Sequence, residues 1–307
     1  MRVFALVLFT LLGTISALYI ENTFQLSGNN GKAYAATQAG DYAYFGTKKA
    51  IVEFDLKTDT QTRSLSHGFV DAPSVAMTYL TDGDDYVIFG DSTGSIMKIN
   101  TETMVVDSTV NVNSALNAAV TWGDYGFVAG RCVHKIGLSD LSTGQYNCNY
   151  DSGILGFLDG FVYGDSLYFT STTTGLAKYD ANTLTGAYLT DLTDVWLNAA
   201  VVVGDYAYIG TWGSKVIKFD LIEDNLKSII DLPDVPIVSV AFSYGNYVYF
   251  GSEFLTQVAV SDRSIVQSVE SPDAWFREAL VVGEHVYLTS YNTENLVWKV
   301  LFRTYTI

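Results

Sequence analysis

Short runs of apolar, β-branched and aromatic residues recur along the whole chain, separated by turns rich in Gly, Asp, Asn and Thr. The clearest set predicts four strands at 197–203, 206–210, 216–221 and 225–230, since such runs bounded by turn residues are typical of β-structure. Gly204-Asp205 predicts a two-residue hairpin, because glycine supplies the positive φ that this turn needs. The pattern therefore predicts sets of four antiparallel strands, named a to d.

A phrase of the form Gly-Asp-Tyr-x-Tyr-Phe-Gly recurs seven times, with a period of about 40 residues. It begins with a Gly or Asp that is followed by Asp, Asn or Glu, at Gly40, Asp84, Gly123, Gly164, Gly204, Gly245 and Gly283. A single repeat of this kind cannot bury its apolar face alone and must pack against neighbours. The repeat predicts an all-β, seven-bladed β-propeller with four antiparallel strands per blade.

The two ends of the repeat array complement each other. The last repeat has room for strands a, b and c but not for a fourth strand, whereas residues 18–26 are a strand-like segment before the first repeat. We therefore expect 18–26 to pair with the strand around 297–302 as the missing strand d, which would close the ring without an open blade. Residues 18–307 are then a single domain.

Residues 1–17 are predicted to be a signal peptide. Arg2 gives a short basic start, residues 3–12 form an apolar core, and small residues lead to a cleavage site after Ala17. The apolar core has about ten residues, too few for a bilayer span of about twenty. The mature protein is expected to be secreted, without a membrane span.

The chain is strongly acidic, with 33 Asp and Glu against 17 Lys and Arg and a formal net charge of −16. Nucleic-acid binding depends on basic residues that release counterions, so this charge argues against a nucleic-acid partner. The acidity has two alternative roles. It keeps the protein soluble, or it creates an electrostatic field that attracts cations or a basic partner.

The two cysteines, Cys132 and Cys148, both lie in the third repeat and flank a predicted hairpin turn at 140–144. In an oxidising compartment such a pair indicates a disulfide bond. Five lysines at equivalent positions of strand c belong to separate blades, and we interpret them as structural or solvated rather than as a basic stripe: Lys98, Lys135, Lys178, Lys218 and Lys299.

The repeat phrase, followed by a polar turn and then by Val-x-Lys-Phe-Asp at 216–220, resembles the YVTN and PQQ-like propellers of the WD40/YVTN repeat-like superfamily. The Gly-His and Trp-Asp pairs of true WD40 repeats are missing, as is a Trp-centred docking motif in every blade, so no quinone cofactor is expected. The resemblance implies that the d–a and b–c loops share one face, the top face, where ligands engage.

Several large side chains fall on these loops. Trp196 and Trp275 each lie nine residues before the acidic residue of an a–b turn, Asp194 and Asp273 stand two residues earlier, and Trp212 follows strand b of the fifth repeat. Exposed aromatic residues provide apolar area with a polar edge, which suits sugar and protein interfaces. The alternative is that these indole rings cap the core between blades.

A second set occupies one position of strand a in successive repeats: Tyr34, Ser74, Asn117, Leu158, Asn198, Ser239 and Arg277. Asn117, Asn198 and Arg277 are therefore candidate ligand-binding residues at the channel mouth. Their polar groups can hold a hydrated ligand, a Ca²⁺ ion with help from Glu278, or ordered water.

No Gly-x-Ser-x-Gly elbow, His-Glu-x-x-His pair or phosphate loop occurs, so no catalytic residue is assigned. The leading hypothesis is a secreted, non-catalytic binding or scaffold propeller that presents its top face to a protein or glycan. The alternative is a lactonase-like hydrolase that depends on Ca²⁺ at the channel mouth. No cofactor is expected for the first hypothesis, and the second requires Ca²⁺.

Overall fold

The computed structural model describes residues 14–26, 32–148, 156–173, 175–189, 196–233, 235–270, 274–290 and 296–306. Within these ranges the strands are β1 Thr14–Gln25, β2 Ala33–Ala39, β3 Tyr42–Thr47, β4 Ala50–Asp55, β5 Thr60–Ser66, β6 Pro73–Tyr79, β7 Tyr86–Asp91, β8 Ser95–Asn100, β9 Val105–Asn111, β10 Leu116–Trp122, β11 Tyr125–Gly130, β12 Val133–Gly137, β13 Thr143–Asn147, β14 Phe157–Tyr163, β15 Ser166–Ser171, β16 Gly175–Asp180, β17 Gly186–Leu189, β18 Leu197–Val203, β19 Tyr206–Thr211, β20 Lys215–Asp220, β21 Asn225–Asp231, β22 Val240–Tyr244, β23 Tyr247–Gly251, β24 Phe254–Ala259, β25 Ile265–Glu270, β26 Phe276–Val282, β27 His285–Ser290 and β28 Leu296–Thr306.

These strands form seven four-stranded antiparallel sheets, which confirms the predicted seven-bladed β-propeller. Blades 1 to 6 take four consecutive strands each, from β2–β5 to β22–β25, and blade 7 has the order β26, β27, β28, β1. The inner strand of each blade contacts the inner strand of the next blade, and β26 contacts β2. The ring is therefore closed.

The closure uses the segment that the sequence predicts. In β1, Tyr19 pairs with Leu301 and Gln25 pairs with Leu296, with one irregularity between Ile20 and Asn22. The strand begins at Thr14, four residues before the predicted cleavage site, so cleavage would remove part of β1 while residues 18–25 keep their pairing. The signal peptide itself stays a prediction.

The repeated phrase has a physical cause at both of its ends. Gly204 has φ of 59° in the turn between β18 and β19, a conformation that a side chain would strain. Gly210, near the end of β19, packs so closely on the next blade that an added Cβ would lie 2.2 Å from Cγ1 of Val238. One glycine makes the turn, and the other allows neighbouring blades to approach.

The core lies between blades. Each of the seven blade interfaces holds a cluster of buried apolar residues, such as Tyr208 of blade 5 against Val248 and Phe250 of blade 6. The same arrangement joins Tyr287 of blade 7 to Phe45 of blade 1. Burial of this apolar area against neighbours, rather than within one sheet, stabilises the ring as a whole.

The predicted disulfide bond is confirmed. Cys132 and Cys148 are bonded, with their Cα atoms 4.4 Å apart. Cys132 directly precedes β12 and Cys148 directly follows β13, so the bond joins the open end of the c–d hairpin of blade 3. In the part of the chain described above, no helix is long and apolar enough to cross a membrane.

Candidate functional site

Two of the predicted tryptophans meet on the top face of blade 5. Trp196 precedes β18, Trp212 follows β19, and the Trp212 backbone N–H donates to the Trp196 carbonyl oxygen at 3.1 Å. Their ring centroids are 4.9 Å apart, with 57° between the planes. The two side chains are 45% and 48% exposed, so each is partly packed on the protein and partly open to solvent.

Trp275 takes the equivalent place in front of β26 and is 43% exposed. Its indole N–H donates to the carboxylate of Glu253, which lies in the turn between β23 and β24 of blade 6. The ring is thus tied to an acidic group of the preceding blade while much of it faces solvent. Asp194 and Asp273, predicted beside these tryptophans, lie outside the described residues.

The polar positions of strand a act mainly between blades. Asn198 donates from Nδ2 to the carbonyl oxygen of Val238 at 2.6 Å, and Ser239 donates from Oγ to that of Phe276 at 2.5 Å. Both acceptors belong to the next blade along the ring. These hydrogen bonds account for the two side chains as connections between neighbouring blades.

The same pattern continues around the ring. Ser74 donates to the carbonyl oxygen of Leu116 at 2.5 Å, and the guanidinium of Arg277 lies 5.2 Å from the centre of the Tyr34 ring, which joins blade 7 to blade 1. Asn117 lies beside Gly156, where an added Cβ would be 3.5 Å from its Nδ2. Of the described candidates, only the tryptophans have side chains that are close to half exposed.

Two acidic side chains lie on inner strands: Glu278, which the sequence suggests as an additional Ca²⁺ ligand, and Asp159, which the sequence reasoning missed. The position after the polar one is a small apolar residue in five blades and an acid in blades 4 and 7: Ala35, Val75, Ala118, Asp159, Ala199, Val240 and Glu278. Asp159 pairs with Thr170 and Glu278 pairs with Thr289, where other blades have Gly or Ala. In blades 4 and 7, both residues of this cross-strand pair therefore differ from those of the other blades.

The carboxylate of Asp159 is held in place. Its Oδ1 accepts from the Gly160 N–H at 2.7 Å, and its Oδ2 accepts from the Ala200 N–H of blade 5 at 2.8 Å. Burial raises the pKa of Asp159 to about 6, although the two N–H donors oppose that rise.

Burial also raises the pKa of Glu278, to about 8, and the negative charge of Asp159 adds to the rise while Arg277 opposes it. Blades 4 and 7 lie on opposite sides of the ring, so this repulsion acts across the central channel. Each acid keeps partial solvent contact while protein surrounds it, as expected for side chains that line a narrow channel. At neutral pH, Glu278 is largely protonated.

The described residues do not gather three or more His, Cys, Asp or Glu side chains in an arrangement that can hold a metal ion. Ca²⁺ takes six to eight oxygen ligands. Asp159 already uses both carboxylate oxygens for backbone N–H groups. Asp159 and Glu278 are therefore better described as two separate acids of the channel than as ligands that surround a Ca²⁺ ion.

The channel acids had a signal in the sequence. An alignment of the seven repeats on the phrase places Asp159 and Glu278 in a column of Ala and Val. An ionisable side chain is costly to bury at a position that is otherwise apolar, and a perturbed pKa is typical of such groups.

No family model and no curated protein matches this chain. Among solved structures, it is similar to a crystal structure of Chaetomium thermophilum Raptor, with a TM-score of 0.74, 11% identity, 89% of this chain covered and 28% of that one. It is also similar to the crystal structure of the computationally designed Ika8 protein, with a TM-score of 0.64, 10% identity, 91% of this chain covered and 98% of that one. The chain thus spans little more than a quarter of the Raptor chain. Likeness at such low identity shows the propeller fold alone.

Proposed function

We propose that this chain is a secreted, non-catalytic binding propeller that presents its top face to a protein or glycan ligand. The exposed pair Trp196 and Trp212 carries the proposal. Large aromatic side chains at a surface provide most of the binding energy in many interfaces, because they bury much apolar area and keep a polar edge. We also propose that the propeller belongs to the YVTN and PQQ-like group, which the repeat phrase supports.

The tryptophans are restrained before any ligand arrives. A backbone hydrogen bond joins Trp212 to Trp196, and the Trp275 indole is hydrogen-bonded to Glu253. Restraint in the free protein lowers the entropy that binding must overcome. The Trp275 and Glu253 pair also sets a hydrogen-bond acceptor beside an aromatic face, a combination that suits a ligand with hydroxyl or amide groups.

Other features favour a rigid scaffold in an oxidising compartment. The disulfide bond of blade 3 is typical of exported proteins, in agreement with the predicted signal peptide. The hydrogen bonds from Asn198 and Ser239 to the next blade hold the inner strands in register. A rigid ring positions loop residues of different blades for simultaneous contact.

The first experiment identifies the ligand. Immobilised wild-type protein and a W196A/W212A variant are exposed to a glycan array and to an extracellular protein fraction. Ile222, 67% exposed in the c–d turn on the opposite face of blade 5, provides the control variant I222A. A ligand that binds wild type and I222A but not W196A/W212A supports the proposal. Equal binding to all three proteins contradicts it.

The second candidate is a Ca²⁺-dependent, lactonase-like hydrolase. Asp159 and Glu278 are the inner-strand acids that such an enzyme would use, and Ca²⁺ would have to replace the backbone N–H groups bound to Asp159 and the proton that Glu278 holds at neutral pH. Calorimetric titration with Ca²⁺ tests this candidate, with E278Q as the comparison. Stoichiometric binding that E278Q abolishes, together with lactone hydrolysis, would favour the hydrolase. Titration heat no greater than that of dilution would exclude Ca²⁺ binding.

A further inference from the structure

A three-residue arrangement recurs where blades meet on the bottom face, which carries the a–b and c–d turns. Between blades 4 and 5, Tyr168 donates to Oδ1 of Asp224 at 3.1 Å, and Lys178 donates to Oδ2 at 2.6 Å. Tyr168 and Lys178 are cross-strand partners in blade 4, and Asp224 lies in the c–d turn of blade 5. One carboxylate therefore satisfies a phenol and an ammonium of the neighbouring blade.

The interface between blades 7 and 1 repeats this geometry. Tyr287 donates to Oδ1 of Asp59 at 3.1 Å, and Lys299 donates to Oδ2 at 2.6 Å. Asp59 and Asp224 have φ of 54° and 51° at the same place in their turns. Two separate interfaces thus use the same carboxylate position.

The interface between blades 5 and 6 has the two donors, but a cation takes the turn position where Asp224 and Asp59 stand. Tyr208 and Lys218 are the cross-strand pair, and the turn position, with φ of 66°, is Arg263. Tyr208 is fully buried, and its hydroxyl has no hydrogen-bond partner among the described residues. A buried polar group without a partner is costly and indicates a ligand or water that completes it.

The charges at this interface repel each other. Desolvation lowers the pKa of Lys218, and the positive charge of Arg263 lowers it further. The Lys218 ammonium lies 3.9 Å from the centre of the Tyr206 ring. Among the described residues, neither Lys218 nor Arg263 forms a salt bridge with an acid.

Asp220 is the acid that favours the charged form of Lys218. Its Oδ1 accepts from the N–H groups of Ile222 and Glu223 at 2.9 Å, and its Oδ2 lies 3.5 Å from Lys227. The Asp220 carboxylate is therefore bound within its own c–d turn. It does not replace the carboxylate that Asp224 provides at the interface between blades 4 and 5.

Other interfaces satisfy the lysine in another way. Lys98 donates to the carbonyl oxygen of Ser139, and Lys135 donates to that of Ala181 at 3.2 Å. In these interfaces the turn position is apolar, Leu141 or Leu184. Lys218 forms no such bond in the described part of the chain, so its interface is the one that combines two cations with an unpartnered phenol.

We propose that the interface between blades 5 and 6 binds a small carboxylate anion. One carboxylate oxygen accepts from the Tyr208 hydroxyl and the other from the Lys218 ammonium, as the oxygens of Asp224 and Asp59 do elsewhere. Arg263 neutralises the anion from the solvent side. At the equivalent sites the Asp224 and Asp59 side chains are 33% and 29% exposed, so a carboxylate in this position has one side toward solvent.

The test measures the melting temperature while sodium acetate replaces sodium chloride at constant ionic strength. The wild-type protein should show a saturable rise of about 2–4 °C at acetate near ten times its dissociation constant. R263D supplies an internal carboxylate and should melt higher without acetate and lose the response. K48D makes the same charge change at exposed Lys48 and should keep the response.

Two isosteric variants keep the test independent of charge. Y208F removes only the unpartnered hydroxyl, so it should weaken the acetate response at least tenfold without loss of stability in chloride. Y168F removes a hydroxyl that Asp224 already uses, so it should lower the melting temperature and keep the acetate response. An equal acetate response in wild type, R263D and Y208F would overturn the proposal, because acetate would then act elsewhere. Water would be the partner of the Tyr208 hydroxyl. A response to phosphate and not to acetate would overturn the carboxylate assignment.

Discussion

Trp196 and Trp212 flank the first hairpin of blade 5 and hold their indole rings 4.9 Å apart at its open end. The contact is local, because the Trp212 N–H bonds to the Trp196 carbonyl oxygen, yet nearly half of each side chain is exposed. An exposed aromatic pair contributes little to the core. Its energetic value is therefore expected in binding.

Trp212 and Trp298 should differ in their effect on stability. W212A should cost about 1 kcal/mol, since it removes one aromatic contact at the surface. W298A should cost about 3–5 kcal/mol, because Trp298 is 9% exposed within the core between blades 6 and 7. Urea unfolding of both variants measures the difference. A loss for W212A as large as that for W298A would mean that Trp212 is a packing residue.

The channel acids should make stability depend on pH. The folded-state pKa of Glu278 is about 8 and that of Asp159 about 6, above the usual values of about 3.9 to 4.3. The folded state then binds more protons than the unfolded state over this range. The stability that these groups contribute is complete below about pH 4. It is lost as pH rises to about 6 for Asp159 and to about 8 for Glu278, by up to about 1.4 kcal/mol per pH unit for each carboxyl.

E278Q isolates this effect, because glutamine resembles the protonated acid and cannot ionise. The gain in unfolding free energy of E278Q over wild type should increase from pH 5 to pH 8 and then level off. E284Q, at an exposed position in the turn before β27, should track wild type throughout. A constant difference between E278Q and wild type across this range would show that Glu278 ionises normally.

Asn198 should behave as a connection between blades rather than as a ligand contact. N198A leaves the Val238 carbonyl oxygen without its donor, so it should cost about 1–3 kcal/mol of stability. Binding at the top face should change less than twofold. Exposed Asn182 provides the control N182A, for which no loss is expected. Loss of binding by a fully folded N198A protein would return Asn198 to the binding site.

The disulfide bond should stabilise blade 3. A C132S/C148S variant should lose roughly 3 kcal/mol in the chain-entropy model, because the bond closes a loop with a sequence separation of 16. Wild type in reducing agent should melt at the same temperature as the variant. An unchanged melting temperature in both cases would show that the hairpin is held without the bond.

Much of the fold can be predicted from the sequence, because every repeat has the same residue types at the positions that form the turns and the contacts between blades. Gly204 turns the chain and Gly210 admits the next blade, so a phrase that ends in these glycines predicts blades and their stacking. The strand 197–203 is predicted with the bounds that the structure has. Closure follows as well, since an unpaired strand at one end of the chain matches a missing strand at the other.

The site is less predictable because a phrase describes what repeats share, whereas function lies in what differs. Asp159 and Glu278 stand out only when equivalent positions of all seven repeats are compared. The sequence indicates that the strand-c lysines are structural or solvated, and Lys98 is only 3% exposed. Lys98, Lys135 and Lys178 have their partners in the c–d turn of the next blade, 41 to 46 residues away, and the partner of Lys299 is 240 residues away, so no local pattern reveals them.

The most direct test of the binding proposal is the affinity of W196A, W212A and W275A for the ligand identified by array or capture, measured beside their melting temperatures. W196A and W212A should each bind at least about 30-fold more weakly than wild type, which corresponds to about 2 kcal/mol. W275A should also lose affinity, and I222A should bind like wild type. Wild-type affinity in all three tryptophan variants, or large drops in melting temperature in all three, would contradict the claim that the top face is a binding site.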